Sequence, residues 1–298
     1  MDFEDGDRSL GRLILEEEPQ AAEKPTPRPP RSCVKEKWEL KSEAMNIGVT
    51  HTYISHVAAL SNNKILVLSK NYSGNSGVLL TASIPNSHQE QLPIPQINGL
   101  TDDVRCIAVR KDGKLLALDG RVVKVFNKQH QLLHQFTPGR GSDSQPTCLA
   151  VDDCNLIAVG YRDEDEISIH NPDGSLIRRL PAQMIEDYLT MHNHHLIYTN
   201  WPKERLVCVG FYGASLSSVD MTRNMQGGCP TGVCCDSDDS IYVAVGRYQT
   251  GDILHYSPDG KYIGCVIKGC GYPRGITFTS NGDLVVATGQ SVQVYHRV

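Results

Sequence analysis

The chain has 298 residues, of which 40% are hydrophobic and 6% aromatic, and 29 Lys and Arg against 34 Asp and Glu give a formal net charge of −5. This length suits one large domain or two smaller ones, and the negative charge disfavours non-specific nucleic-acid binding, which depends on Lys and Arg neutralising phosphates. Because the first residues are acidic and no apolar stretch approaches the roughly 18 residues of a membrane span, we predict a soluble, cytoplasmic protein.

Residues 1–36 differ from the rest of the chain in composition. They are rich in charged residues and include a proline-rich run around Lys24, Pro27 and Pro30. Such a segment cannot bury a core, so we predict a disordered, Pro-rich and acidic linker. The spacing of these three residues is that of a polyproline II ligand for an SH3-type domain, and the same run also suits a stiff spacer.

From about residue 45 onward, a polar turn followed by an apolar run recurs six times, at intervals of about 40 to 50 residues. Two short alternating runs flank each turn, which is typical of a β-hairpin, and further runs follow, such as the third runs at 122–126 and 166–170. The pattern predicts an all-β fold, a six-bladed β-propeller of four-stranded antiparallel blades over residues 37–298. The first apolar residues after the six turns are Ile65, Leu115, Leu156, Leu196, Ile241 and Leu284.

The two ends of the repeat region complement each other. The sixth unit reaches Val298 after only three runs, and residues 37–44 form a further alternating run before the first unit. We therefore predict that residues 37–44 supply the outer strand of the last blade. Joining both ends of the chain in one blade leaves no open sheet edge where the ring closes.

Two units open with similar residues, Pro230-Thr231-Gly232-Val233 and Pro273-Arg274-Gly275-Ile276. These openings resemble the Pro-x-Gly-Ile starts of NHL repeats, and the resemblance extends over about residues 45–298. It implies a propeller architecture and a recognition surface rather than a particular activity.

NHL propellers often form the C-terminal part of tripartite-motif ubiquitin ligases, after RING and B-box zinc modules and a coiled coil. This chain has no Cys-x-x-Cys pair and no heptad run, so it resembles the propeller of such a protein without those modules. The resemblance implies a surface that recognises a protein or RNA, and a link to the ubiquitin pathway through partners.

Arginines and aromatic residues concentrate in loops predicted between blades and between the second and third strands of a blade. In a propeller both sets of loops emerge on one rim. Arg supplies bidentate contacts and aromatic rings supply stacking, so the set suits an acidic peptide or RNA bases, and nearby acidic residues favour a protein. The predicted partner-binding rim consists of Arg105, Arg121, Arg140, Arg162, Arg205, Arg223, Arg247, Arg274, Tyr72, Tyr161, Trp201, Tyr248 and Tyr272.

We therefore predict a non-catalytic recognition or scaffold propeller that binds a protein partner through this rim, without a cofactor or metal, and with RNA as the alternative ligand. An enzyme is the competing class, because six-bladed propellers also occur as calcium-dependent lactonases and esterases. Such a site needs carboxylate and amide oxygens from several blades around the central channel. The candidates for these ligands are Asp102, Asp187 and Asn200.

Two groups of potential metal ligands have simpler interpretations. The ten cysteines are irregularly spaced, which predicts buried thiols. His192, His194 and His195 lie in a turn predicted between alternating strands, where their side chains point in different directions. This favours a solvated turn over a transition-metal site.

Overall fold

The computed structural model describes residues 37–45, 52–60, 64–71, 77–83, 97, 99–141, 143–248, 250–289 and 291–298. The predictions for residues 1–36, including the motif of Lys24, Pro27 and Pro30, lie outside this range. The described elements are β-strands and one four-residue helix, α1 (Thr222–Met225). Within the described part of the chain, no helix is long and apolar enough to cross a membrane.

The strands form one antiparallel sheet of three strands and five of four. Strand β1 (Trp38–Met45) comes first in the chain but belongs to the last sheet. The three-stranded sheet follows, with β2 (Thr52–Ala59), β3 (Lys64–Asn71) and β4 (Gly77–Ser83).

Four sheets then contain four consecutive strands each. The first has β5 (Val104–Val109), β6 (Leu115–Asp119), β7 (Val122–Phe126) and β8 (Leu132–Phe136). The second has β9 (Pro146–Val151), β10 (Ile157–Tyr161), β11 (Glu166–His170) and β12 (Leu176–Pro181). The third has β13 (Leu189–His192), β14 (His195–Asn200), β15 (Arg205–Gly210) and β16 (Ser215–Asp220). The fourth has β17 (Cys229–Cys235), β18 (Ile241–Arg247), β19 (Thr250–Tyr256) and β20 (Tyr262–Lys268).

The last sheet contains β21 (Ile276–Phe278), β22 (Leu284–Ala287) and β23 (Ser291–Arg297), with β1 at its outer edge. The all-β propeller of four-stranded antiparallel blades is therefore confirmed, but with five such blades where the sequence predicted six. The sheet of β2, β3 and β4 has three strands among the described residues.

Strands in the middle of a blade are buried on both faces, because neighbouring blades pack against each other. All residues of β6 and β10 are buried. Val123 and Val125 of β7 pack against Leu149 and Val159 of the next blade. The outer strands β8 and β16 are mostly exposed. The hydrophobic core is therefore a series of layers between blades, each formed by the apolar faces of two sheets.

A carboxylate holds the polar turn that recurs in the sequence. Oδ1 of Asp152 accepts hydrogen bonds from the backbone N–H groups of Cys154 (2.9 Å) and Leu156 (2.8 Å). Asp236 forms the equivalent pair of bonds in a later blade. These Asx-type turns join the first strand of a blade to the second and set their register.

The two ends of the described chain meet in the last sheet. Strand β1 lies antiparallel to β23, with Trp38 opposite Arg297. Nη2 of Arg297 donates to Oδ2 of Asp236 (3.0 Å) and to the hydroxyl of Tyr242 (2.9 Å) in the preceding blade. Trp38 packs edge-on against Tyr242, with ring centroids 6.0 Å apart. These contacts tie the joined ends to the neighbouring blade.

Glycines allow the backbones of neighbouring sheets to touch near the centre of the ring. The N–H of Gly232 in β17 donates to the carbonyl oxygen of Arg274, just before β21, over 2.6 Å. A Cβ on Gly232 would overlap that oxygen, and a Cβ on Gly275 would lie 2.9 Å from Cα of His56 in β2. Close backbone contact therefore requires glycine in both Pro-x-Gly openings.

Replacing Gly232 by Ala should destabilise the protein, because the added Cβ would push β17 away from residue 274 and break their hydrogen bond. We expect the free energy of unfolding to fall by about 1–3 kcal/mol in urea unfolding at neutral pH. Gly264→Ala is the matched control, since residue 264 lies in β20 of the same sheet and its added Cβ would have no atom within 4 Å. Equal midpoints for the two variants would contradict the packing argument.

Candidate active site

A polar cavity of about 280 Å³ lies where the first strands of several sheets begin. Strands β2, β5 and β9 contribute residues near their starts, β3 contributes Lys70 near its end, and the turn between β10 and β11 contributes Arg162. The segments before β13 and β21 complete the wall. The lining residues are Tyr53, Ser55, His56, Lys70, Asp103, Arg105, Thr147, Arg162, Asp187, Tyr188 and Arg274.

Ion pairs neutralise two of the four cations in this cavity. Nε and Nη2 of Arg105 each lie 3.2 Å from a carboxylate oxygen of Asp103. Nη2 of Arg162 lies 2.5 Å from Oδ1 of Asp187 and 2.9 Å from Oε2 of Glu186. Both carboxylates that line the cavity, Asp103 and Asp187, are therefore paired with an arginine.

Lys70 differs from these arginines because its Nζ has no hydrogen-bond or ion-pair partner among the described residues. The side chain is half-buried in the cavity wall. Burial lowers the pKa of Lys70, and the nearby charge of Arg105 acts in the same direction, while nearby acidic groups oppose the shift. Lys70 therefore loses its proton more readily than a lysine in water, as a general base or a nucleophile must.

The imidazole of His56 is buried against the ring of Tyr188, with centroids 5.1 Å apart and planes inclined by 27°. The Tyr188 hydroxyl donates to the carbonyl oxygen of Ser55 (3.3 Å). Neither ring nitrogen of His56 has a hydrogen-bond partner in the described structure. Burial, helped by the charge of Lys70, lowers the pKa of His56 to about 3, so the ring is neutral at physiological pH. A backbone group of Asp187 close to the ring opposes this shift. The neutral ring offers one N–H donor and one acceptor nitrogen to a ligand or water.

Arg274 has aromatic rather than acidic neighbours. Its Cζ lies 4.1 Å from the ring centroid of Tyr53 and 5.1 Å from that of Tyr272, and its Nε is buried without a hydrogen-bond partner among the described residues. The backbone is fixed on both sides, since its N–H donates to Ala287 (2.8 Å) and its carbonyl accepts from Gly232 (2.6 Å). The cation–π contacts orient the guanidinium without neutralising it.

Of the predicted rim residues, Arg105, Arg162 and Arg274 line the cavity, and Tyr272 contacts Arg274. The sequence grouped these arginines by their loops, and the structure places the three in the wall of one cavity. Any role of the whole set in binding a protein or RNA stays a prediction.

The other predicted rim residues that the structure describes do not line the cavity. Four are exposed: Arg121, Arg223, Trp201 and Tyr248. Three arginines are held by neighbouring side chains: Arg140 by Glu166, Arg205 by Ser218 and Arg247 by Asp252. Tyr161 is fully buried, with its hydroxyl 3.2 Å from that of Ser168, and Tyr72 lies outside the described residues.

Sequence reasoning missed Lys70, His56, Tyr53 and Tyr188. A signal for His56 was present, because it lies with Ser55 inside an otherwise apolar buried strand. Polar residues in such a strand point to a polar cavity or to a buried hydrogen-bond network. Lys70 carried no comparable signal, since a lysine near the end of a strand is ordinary.

The calcium site that the sequence offered as an alternative does not fit these residues. Asp187 lines the cavity but is paired with Arg162, and Asp102 is exposed. Asn200 is buried, and both polar atoms of its side-chain amide form hydrogen bonds within the protein. Its Nδ2 donates to the carbonyl oxygen of Met184 (2.5 Å), and its Oδ1 accepts from the N–H of Lys203 (2.7 Å). In the described structure no group of three or more His, Cys, Asp or Glu side chains could hold a metal ion.

The histidines of the turn between β13 and β14 have separate surroundings. Nε2 of His192 lies 2.9 Å from Oδ1 of Asp239 in the next blade, and His194 packs edge-on against Phe211. His195 is exposed. Their side chains link the turn to neighbouring elements and do not converge on one point.

The fold is similar to that of known enzymes. A gluconolactonase from Xanthomonas campestris superposes with a TM-score of 0.63 and 15% identity over 85% of this chain and 89% of its own. A streptogramin B lyase superposes with a TM-score of 0.54 and 13% identity over 88% of this chain and 98% of its own. No protein-family model matches the chain, and neither does any curated protein. At these identities the likeness shows the propeller fold.

The comparisons overturn the resemblance to NHL propellers of tripartite-motif proteins, since the matched propellers are a lactonase and a lyase. The predicted non-catalytic recognition module of the ubiquitin pathway is therefore wrong, and these comparisons give RNA binding no support. The error has a physical cause. The Pro-x-Gly openings that carried the resemblance meet a packing requirement at Gly232 and Gly275, where neighbouring sheets touch, so they do not mark one family.

His56 should make the stability of the fold depend on pH. Its pKa is lower in the folded state than in the unfolded chain, so the unfolded chain binds the extra proton, and stability falls as the pH drops below about 6.5. Between pH 7 and pH 5 we expect the wild type to lose about 1–2 kcal/mol more unfolding free energy than His56→Phe, which keeps a ring against Tyr188. Urea unfolding at both pH values measures this difference.

The control for this measurement is His195→Phe, because residue 195 is an exposed histidine at the start of β14. It should lose as much stability as the wild type between the two pH values. A His56→Phe variant whose loss also matches that of the wild type would show that His56 is not buried as a neutral ring.

Proposed function

We propose that the chain is an enzyme that opens an ester or lactone bond of a small molecule in the central cavity. The observation that carries the proposal is the half-buried Lys70, whose nitrogen has no partner among the described residues, in one cavity with a buried His56 whose ring nitrogens have none either. Burying polar groups without partners lowers stability, and such groups concentrate where ligand chemistry uses them.

The two residues divide the chemistry between them. With a pKa of about 3, His56 is too weak a base to take a proton from water near neutral pH. It remains neutral, and it can donate its N–H to an oxygen on which negative charge develops. Lys70 is the stronger base of the two, so it takes the role of proton acceptor.

Hydrolysis then proceeds in two steps. Neutral Lys70 accepts a proton from a water molecule as the water oxygen attacks the carbonyl carbon, and the N–H of His56 donates to the carbonyl oxygen, which becomes negatively charged. When this intermediate collapses, the carbon–oxygen bond of the ester or ring breaks. The Lys70 ammonium returns its proton to the alcohol oxygen that leaves.

The names of the two structural neighbours support this reaction class, since one is a lactonase. The other is a lyase, which makes elimination the second candidate. In an elimination Lys70 would take a proton from carbon, and the carbon–oxygen bond would break without addition of water. Both reactions use the same unpaired base.

Lys70→Met should abolish turnover, because methionine fills the same space without a proton acceptor. We expect kcat to fall by about 10²–10⁴-fold on whichever members of a panel of lactones and 4-nitrophenyl esters the wild type opens. Lys64→Met is the control, since residue 64 is exposed at the other end of the same strand, and it should retain wild-type activity. A wild type inactive on the whole panel, or an active Lys70→Met, would argue against the proposal.

The same reaction run in ¹⁸O-labelled water distinguishes the two candidates. Hydrolysis transfers the label to the carboxylate of the product, whereas elimination leaves the product unlabelled. We expect the label in the product, measured by mass spectrometry. An unlabelled, unsaturated product would assign the lyase reaction instead.

The pH profile should identify Lys70 as the base. Only the neutral amine accepts a proton, so kcat/KM of the wild type should rise with pH through the pKa of Lys70. Because burial lowers that pKa, the midpoint should lie below the ordinary value for lysine. The rise should be missing from any residual activity of Lys70→Met, and its persistence there would move the base role to another group.

A further inference from the structure

We infer that the cavity accepts anionic substrates, whose carboxylate or phosphate group binds the guanidinium of Arg274. The inference rests on the proposed function for the reaction, but its evidence comes from a different residue and from the charge of the cavity wall. It therefore defines the substrate class of the same site.

One arginine of this wall, Arg274, is left without a carboxylate, although the chain as a whole carries −5. Four cations and two carboxylates line the cavity, and Glu186 adds a third carboxylate beside Arg162. The carboxylates all contact Arg105 or Arg162. Arg274 has no carboxylate partner in the described structure, and Lys70 acts as a neutral amine in the proposed reaction, so a ligand anion is the charge that would complement Arg274.

Arg274 is held ready for such an anion. Hydrogen bonds on both sides of its backbone fix its position, and the rings of Tyr53 and Tyr272 contact its guanidinium. Gly246 in β18 makes room for the Tyr272 ring, since a Cβ there would lie 2.8 Å from Cζ of that ring. A guanidinium that is oriented before binding loses little entropy when it forms two parallel hydrogen bonds to a carboxylate or phosphate.

Cation–π contact alone does not identify an anion site, as Arg178 illustrates. Its Cζ lies 4.9 Å from the Phe211 ring and 4.7 Å from the Tyr212 ring, and its Nε is likewise unpaired among the described residues. Arg178 belongs to the outer strand β12, and Tyr212 is 81% exposed. Arg274 differs because it is half-buried and lines one cavity with Lys70 and the buried His56, where water screens charge less than on the outer surface.

The test compares two esters with the same leaving group, neutral 4-nitrophenyl acetate and anionic mono(4-nitrophenyl) succinate. The measured quantity is the ratio of their kcat/KM values. We expect the wild type to favour the anionic ester, and Arg274→Gln to lower the ratio by about 10- to 100-fold, because a forked, charge-assisted contact is lost. Arg178→Gln is the matched control and should leave the ratio unchanged. An unchanged ratio in a folded Arg274→Gln would overturn the inference.

Arg274→Lys serves the same purpose if Arg274→Gln fails to fold, since it keeps the charge and the aliphatic stem but loses the planar fork. Its ratio should fall about threefold or more. A folded Arg274→Lys with the wild-type ratio, in the absence of a folded Gln variant, would equally overturn the inference. Urea midpoints establish which variants are folded.

Calorimetry with succinate and with inorganic phosphate separates this inference from the proposed function and identifies the anionic group. We expect one of the two anions to bind the wild type and to lose at least about tenfold in affinity in Arg274→Gln. If neither ester is hydrolysed but an anion still binds through Arg274, the inference stands and the proposed reaction fails. If the esters are hydrolysed and neither anion binds, the reaction stands and the inference fails.

Discussion

The N–H of Gly232 donates to the carbonyl oxygen of Arg274, and the N–H of Ile54 donates to that of Gly289, so adjacent sheets are joined backbone to backbone near the centre of the ring. The hydroxyl of Thr231 extends these links, because it donates to the carbonyl oxygen of Pro273 (3.0 Å). Such contacts leave no space for side chains between the strands. They set the position at which each first strand begins, and thereby which side chains meet at the mouth of the ring.

The cavity that results is costly for the fold. Four cations are partly removed from water there, and only two of them, Arg105 and Arg162, regain their lost hydration through ion pairs. Lys70 and His56 gain no such compensation, and burial lowers the pKa of both. Apolar layers between blades stabilise the protein enough to tolerate this cost. Buried polar atoms without a hydrogen-bond partner also occur elsewhere in the described structure, such as Nε of Arg110 and Nε of Arg178. The presence of Lys70, His56 and Arg274 in one cavity is therefore what indicates where the chemistry lies.

The structural neighbours have 15% and 13% sequence identity to this chain. They share its propeller fold, but few of its residues. A propeller needs apolar middle strands, tight turns and glycines where sheets touch, and many sequences meet these needs. The Pro-x-Gly openings at Gly232 and Gly275 belong to that common requirement. The function of a propeller depends on which side chains its inner strands place in the cavity, and not on the fold itself.

The sequence by itself determined the local pattern of the fold. Strands β7 and β11 begin and end at the predicted residues, because alternation and turn chemistry depend on neighbouring residues alone. Only the tertiary structure decided the composition of the cavity, which combines Tyr53 from the first described sheet with Arg274 from the last. Whether an arginine of a loop points to solvent or into the ring depends on contacts between residues far apart in the chain. The same holds for the unpaired state of Lys70, because burial and the absence of a partner are properties of its surroundings and not of its neighbours in sequence.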